Sequence, residues 1–303
     1  MTERITPEMV RAASLNNLTQ SLTSLERSAE ELSSGKTILE PSDNPYGASR
    51  IINLESQLEG LSSYESSTQD GIAWETTASG AMANINEVVE RVRELLVQAA
   101  NGTNNQSDLA TIGQEVEQLT ESVKQDANTQ YAGQYVFSGT ATTTAPYQQG
   151  GDEYHGNAET ISRVIGPGAS VTISTNISTL LGNGQASGDG KLLDTLRTIG
   201  EHLKGGTEED RKAVGTTDLQ NLDTNIETLR QLQASSGSTI DQLQTALTRN
   251  EGIQQSITQA LSNTQDTNFA ATSVAYSNEQ AAYSAALHAT ATIVQESLLN
   301  FLH

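Results

Sequence analysis

The positions of proline constrain the fold of this chain more than any other feature of its sequence. None lies between residues 46 and 145, and none follows residue 167. Proline in a helix interior costs about 3 kcal/mol, so these two long stretches are free to be helical. The prolines themselves are Pro7, Pro41, Pro45, Pro146 and Pro167.

Apolar residues in the N-terminal part recur at heptad spacing, which is typical of helices that pack side by side. The first seam ends at Gly35, a residue type favoured just after a helix. We expect a second helix from about Tyr46, with its clearest seam from Ala78 to Ala99, and a third helix capped by Ser107. The first seam comprises Leu15, Leu18, Leu22, Leu25, Ala29 and Leu32.

The helical period returns near Thr216 and continues to about Leu247. Gly237 lies inside this run at a cost of about 1 kcal/mol, so the helix either tolerates it or breaks there. A last helix is expected from about Asp266, with aromatic and aliphatic residues again at seven-residue spacing.

The middle of the chain has a different pattern. Tyr135–Phe137 is a short β-type run, and Gly166-Pro167-Gly168 is a turn signal between two further apolar runs, at residues 161–165 and 171–173. Residues 138–190 are rich in Gly, Thr and Ser. This pattern predicts a small β-rich insert, followed by a helix over Leu192–Leu203.

The patterns together predict a mainly α fold: an elongated antiparallel helical bundle or coiled coil from both chain ends, with a small β-rich inserted domain. Three domains are expected. Residues 1–41 and 264–303 form a terminal coiled-coil assembly domain, residues 42–140 and 191–263 form a helical rod, and residues 141–190 form an outward-facing β-rich domain.

Each terminal helix carries a single apolar stripe that it cannot bury alone. The simplest arrangement pairs the N-terminal helix with the C-terminal helix. We give equal weight to two roles for these stripes, a seam within the molecule and a contact between molecules. The expected assembly residues are Leu15, Leu18, Leu22, Leu25, Leu32, Phe269, Tyr276, Tyr283, Leu287, Val294, Leu298 and Phe301.

Composition argues against several function classes. Hydrophobic residues make up 35% of the chain, which disfavours a thick enzyme-type core, and the net charge of −21 disfavours nucleic acid and anionic membrane surfaces as partners. There is no cysteine, and the four histidines lack metal-ligand spacing. We therefore expect no enzyme activity, no cofactor and no metal. The first 30 residues contain no apolar run of the secretory type, and no stretch is long and apolar enough for a membrane span.

Several short motifs resemble the flagellin superfamily, in the form found in its hook–filament junction proteins. At the N-terminal end they are residues 32–36, 41–45 and 48–50, although Asn44 stands where an aspartate is frequent. Elsewhere they are residues 135–140, 266–270 and 297–302.

This resemblance implies a structural protein of the bacterial flagellum, located outside the cell after type III export without a cleaved signal peptide. Its implied partners are further copies of itself, hook-associated protein 1 on the hook side, flagellin on the filament side and a cytoplasmic export chaperone. The terminal helices would form an inner coiled-coil layer on assembly.

Two alternatives stay open. A flagellin filament subunit is closely related, although the Lys36, Pro45 and Arg50 pattern argues against it. A cytoplasmic coiled-coil adaptor belongs to a different class and predicts folded, paired terminal helices in the free monomer.

Overall fold

A computed structural model describes the backbone of residues 7–101 and 104–301 and the side chains of residues 8–101 and 104–292. The chain divides into two compact units. Unit 1 comprises residues 1–60 and 253–303, and unit 2 comprises residues 61–252.

The predicted mainly α fold with a small β region is confirmed. Two antiparallel strand pairs, β1–β2 and β3–β4, interrupt the helices. The helices are α1 Pro7–Ser34, α2 Pro45–Ala99, α3 Gln106–Ala127, α4 Ser178–Leu181, α5 Leu192–Gly205, α6 Glu208–Ala213, α7 Leu219–Gln265 and α8 Phe269–Phe301. The strands are β1 Gln130–Tyr131, β2 Gln134–Tyr135, β3 Ser162–Gly166 and β4 Ala169–Thr172.

Helix ends follow local chemistry. Gly35 ends α1 in the left-handed region, with φ of +71°. At α3 the sequence prediction was wrong, because Asn105 rather than Ser107 is the cap. The Asn105 side chain accepts a 2.9 Å hydrogen bond from the Asp108 N–H, and the Asp108 carboxylate accepts one from the Asn105 N–H. Gly237 does not break α7.

The core of unit 2 is built from heptad seams. Trp74 and Met82 on α2 lie in the same buried cluster as Val116 on α3, Ile199 on α5 and Leu229 on α7. Large apolar side chains of the middle segment are also buried in this cluster: Tyr147, Ile165, Ile173, Ile177, Leu180 and Leu181. The segment between α3 and α5 is therefore packed into unit 2 through its apolar side chains.

The β3–β4 hairpin is fixed to two helices of unit 2. Arg163 donates a 2.8 Å hydrogen bond to Asp70 on α2. The Asn250 side chain on α7 donates a 2.9 Å bond to the Ile165 carbonyl, at the point where the strand register shifts. The predicted turn at residues 166–168 is confirmed.

A buried ion cluster joins α3, α5 and the loop between them. Lys124 is almost fully buried and lies 3.1 Å from Asp152, which also accepts a 2.8 Å hydrogen bond from Arg197. The Arg197 guanidinium holds the pKa of Asp152 below its ordinary value. Because a buried charge without a partner is strongly destabilising, this cluster fixes the loop in place.

Candidate assembly surface

The two ends of the chain meet within unit 1. The Thr37 N–H donates a 2.7 Å hydrogen bond to the Gln265 carbonyl, and the Thr267 N–H donates a 2.9 Å bond to the Gly35 carbonyl. These bonds join the segment that follows α1 to the segment that precedes α8, so the end of α1 lies beside the start of α8 and the two helices pack together in antiparallel directions.

The seam between α1 and α8 is largely small and polar. Ser28 on α1 donates a 2.5 Å hydrogen bond to the Glu279 carboxylate on α8, and Thr272 and Thr290 are also buried. The less exposed positions of α1 are Ser14, Leu18, Ser21, Leu25, Ser28, Ala29, Glu31 and Leu32, and those described on α8 are Thr272, Ser273, Ala275, Tyr276, Glu279, Tyr283, Ala286 and Thr290. Such a seam buries little aliphatic surface for its length, so this pairing is weakly stabilised.

Four further large apolar side chains lie beside this seam and are more exposed than the leucines and tyrosines within it. Leu15 is 47% exposed, Leu22 is 37%, Phe269 is 66% and Leu287 is 44%. Both helices therefore leave aliphatic and aromatic surface uncovered while burying serine, threonine and glutamate.

These exposed residues lie on one side of the helix pair. Leu15, Leu22 and Leu287 each come one position after a seam residue, which is a rotation of about 100° around the helix. When two right-handed helices pack antiparallel, the residues that come one position after a seam residue face the same side of the pair on both helices. The exposed flanks of α1 and α8 therefore form one apolar face, which we call the terminal face.

The structure separates the twelve residues predicted for assembly into three groups. Leu15, Leu22, Phe269 and Leu287 are exposed on the terminal face. Leu18, Leu25, Leu32, Tyr276 and Tyr283 are half-buried at the seam. The side chains of Val294, Leu298 and Phe301 lie outside the described residues. The sequence did not single out Val274 and Ile52, both mainly exposed, because neither lies on a heptad seam.

The loop between α1 and α2 is built by the residues that carry the family resemblance. Asn44 caps α2 by accepting a 2.9 Å hydrogen bond from the Gly47 N–H, and Pro45 occupies the first helical position, where proline is favoured. A methyl group at Gly47 would overlap the end of the Ile38 side chain and crowd the Asn44 amide, so a larger residue there would displace one or both of them. The Glu40 and Leu39 N–H groups hold the pKa of Asp43 below its ordinary value.

Two absences were found in the described part of the chain. Among those residues, no group of three or more His, Cys, Asp or Glu side chains is placed to hold a metal ion. Within the same ranges, no helix has the length and apolar character that crossing a membrane requires.

Comparison with known proteins gives a match over the N-terminal part of the chain, which includes α1 and the loop between α1 and α2. Residues 5–142 match the family model of the bacterial flagellin N-terminal helical region. Over 124 residues the chain is 40% identical to phase 1 flagellin of Salmonella naestved and to a flagellin of Salmonella budapest. The predicted resemblance to flagellins is confirmed over the N-terminal residues 5–142. The alignment covers 41% of this flagellin-like chain and 25% of each Salmonella protein, so the chain spans about a quarter of the length of those flagellins.

Solved structures share the fold over a larger part of this flagellin-like chain. A flagellar hook-associated protein from Vibrio parahaemolyticus covers 74% of it, with 100% of that protein matched, at a TM-score of 0.68 and 17% identity. Flagellar hook-associated protein 3 from Legionella pneumophila covers 70% of this chain, with 98% of that protein matched, at a TM-score of 0.60 and 14% sequence identity. A flagellar junction protein from the same organism covers 71% of this chain, with 100% of that protein matched, at a TM-score of 0.56 and 14% sequence identity.

Proposed function

We propose that this chain is a structural junction protein of the bacterial flagellum, joining hook-associated protein 1 on the hook side to the flagellin filament. It assembles with further copies of itself through its terminal helices. It acts outside the cell after type III export, which a cytoplasmic chaperone assists by binding the C-terminal region. It has no catalytic role.

The observation that carries this proposal is the terminal face. Leu15, Leu22, Phe269 and Leu287 are exposed next to a polar seam, and each large apolar side chain that becomes fully buried contributes about 1.5–3 kcal/mol. Contacts between copies would supply that burial. The flagellin-type N-terminal region and the fold shared with hook-associated proteins support the flagellum as the site of assembly.

A pair of matched variants tests the proposal. Leu22→Asp places a charge on the terminal face, and Gln20→Asp places the same charge on the same helix but on the other side of it. We expect Leu22→Asp to abolish incorporation at the end of the hook and swimming motility, and Gln20→Asp to behave as the original chain. The melting of unit 2 should be unchanged in both, because neither residue belongs to it. Leu22→Asp cells that swim normally would contradict the proposal.

A filament subunit is the second candidate, and the 40% identity to Salmonella flagellins favours it. Electron microscopy of purified chain added to short filament seeds distinguishes the two. A junction protein forms a short terminal layer, whereas a filament subunit extends the seeds into long filaments.

A further inference from the structure

The terminal face carries a charged side chain beside its apolar residues. Glu26 on α1 is exposed, and it follows Leu15 by eleven positions and Leu22 by four. At the rotation of an α-helix, these spacings place Glu26 within about 20° of Leu15 and about 40° of Leu22 around the helix axis. Like both leucines, Glu26 comes one position after a seam residue, which here is Leu25.

The cations of α1 do not neutralise Glu26. In the described part of the chain its carboxylate takes part in no ion pair or hydrogen bond. Arg27, the next residue, is bound to Glu31 at 3.2 Å instead. Arg11, the other arginine of α1, pairs with Glu8.

The helix that packs against α1 does not supply a cation at this level either. Helix α8 contains no lysine or arginine, and its single histidine is His288. The Ser28–Glu279 hydrogen bond sets the antiparallel register, so His288 lies beside about residue 19 of α1. That position is seven residues, or roughly 10 Å along the helix axis, from Glu26.

An unpaired carboxylate on an apolar face opposes the burial of that face. When a second copy covers Leu15 and Leu22, Glu26 beside them loses part of its hydration, and without a cation nothing offsets this loss. Glu30, four positions further along α1, is also exposed and outside the ion pairs of the described residues. Like charges at this spacing destabilise a helix slightly, so Glu26 does not stabilise α1 of the free chain.

We propose that Glu26 regulates assembly by opposing contact between copies of this chain through the terminal face. The inference rests on the proposed function and deepens it, because it names a residue of the same face that makes association less favourable. Free copies stay apart until further contacts, such as those at the end of the hook, offset the dehydration of this carboxylate.

The net charge of −21 on each copy also opposes association, so a local effect must be separated from this general one. At about 150 mM ionic strength the Debye length is about 8 Å, and charges far from a contact are largely screened. Glu55 provides the matched control. It is an exposed carboxylate of unit 1 on α2, outside α1 and α8, and it has no ion pair among the described residues.

Sedimentation equilibrium of the full chain at this ionic strength compares the original chain with three variants. We expect Glu26→Gln to strengthen self-association about fivefold or more, because a neutral amide is dehydrated more easily than a carboxylate. Glu26→Asp keeps the charge and should associate no more strongly than the original chain. Glu55→Gln removes the same charge elsewhere in unit 1 and should stay close to the original chain.

Loss of folding does not complicate this test. Glutamine and glutamate have nearly equal helix propensity, and Glu26 is exposed without a partner among the described residues. Circular dichroism and the melting temperature of Glu26→Gln should therefore match those of the original chain.

Each other outcome overturns the role of Glu26. Association of Glu26→Gln equal to that of the original chain, or an equal gain in Glu55→Gln, would refute a local effect. Weaker association of Glu26→Gln would show that Glu26 binds a cationic group of the second copy. If Leu22→Asp weakens self-association while Glu26→Gln does not strengthen it, the proposed function stands and the role of Glu26 falls. If neither the original chain nor Glu26→Gln associates at any concentration, both fall.

Discussion

Glu75 is a buried carboxyl group in the helical core of unit 2. It is 2% exposed on α2, and its carboxylate accepts a 2.5 Å hydrogen bond from Ser236 on α7. Burial raises the pKa of Glu75 to about 7, and the Ser236 hydrogen bond offsets only part of that increase. The folded state therefore binds a proton at Glu75 at pH values where the unfolded chain has already released it.

Because of this proton, the stability of unit 2 should decrease as pH rises. The pKa of Glu75 is higher in the folded state than its ordinary value of 4.5, so its favourable contribution is complete below about pH 4.5 and is lost as pH rises through about 7. We expect the free energy of unfolding to fall by about 2–3 kcal/mol between pH 5 and pH 8. Glu75→Gln should remove most of that slope, as measured by urea unfolding at both pH values. A slope equally steep in Glu75→Gln would contradict this account.

Carboxylates of the ion cluster do not obscure this pH window. Arg197 lowers the pKa of Asp152, so the stability that Asp152 contributes is lost only as pH falls through that lowered value. The two effects act in opposite directions and in separate pH ranges.

At the scale of elements, the middle segment is more deeply packed than a solvent-facing insert needs to be. Replacing residues 141–190 by a short Gly/Ser bridge would remove several buried apolar side chains, among them Tyr147, Ile173 and Leu180. At about 1.5–3 kcal/mol each, this loss should abolish the cooperative melting of unit 2. Val164→Ser, on the exposed side of β3, is the matched control and should melt like the original chain. If the deletion variant keeps the melting transition of unit 2, the segment does not contribute to the stability of the core, which would contradict this prediction.

The sequence was sufficient to predict the long helices but not to predict which residues of those helices contact one another. Heptad spacing and proline positions predicted the long helices, because helix period and helix breakers are local properties. Asn105 was missed as a cap although the sequence displays it, because Asn105 with Asp108 three residues later has capping-box spacing, and Ser107 is an equally common cap type. The sequence also could not show that Ser14, Ser21 and Ser28 share the α1 seam with three of the leucines. The apolar stripe is wider than one partner helix covers, and the pattern does not specify which flank stays exposed.

At the scale of the whole molecule, stability should differ along the chain. Unit 2 has a large buried apolar cluster, whereas the α1–α8 pair of unit 1 is held by a polar seam. Isolated helices are marginal in water, and weakly packed segments open locally at low free-energy cost. The division of the chain into assembly, rod and β-rich domains remains a proposal, and differences in local stability bear on it directly.

Hydrogen exchange of the free and the assembled chain tests the central claim most directly. In a verified monomer we predict fast exchange before about residue 40 and after about residue 265, with slow exchange around Val89 and Leu243, which are buried in unit 2. On assembly, α1 and α8 should gain protection together as their terminal face is buried. Strong protection of both helices in the monomer, unchanged in the assembled form, would contradict the account and favour a soluble coiled-coil adaptor.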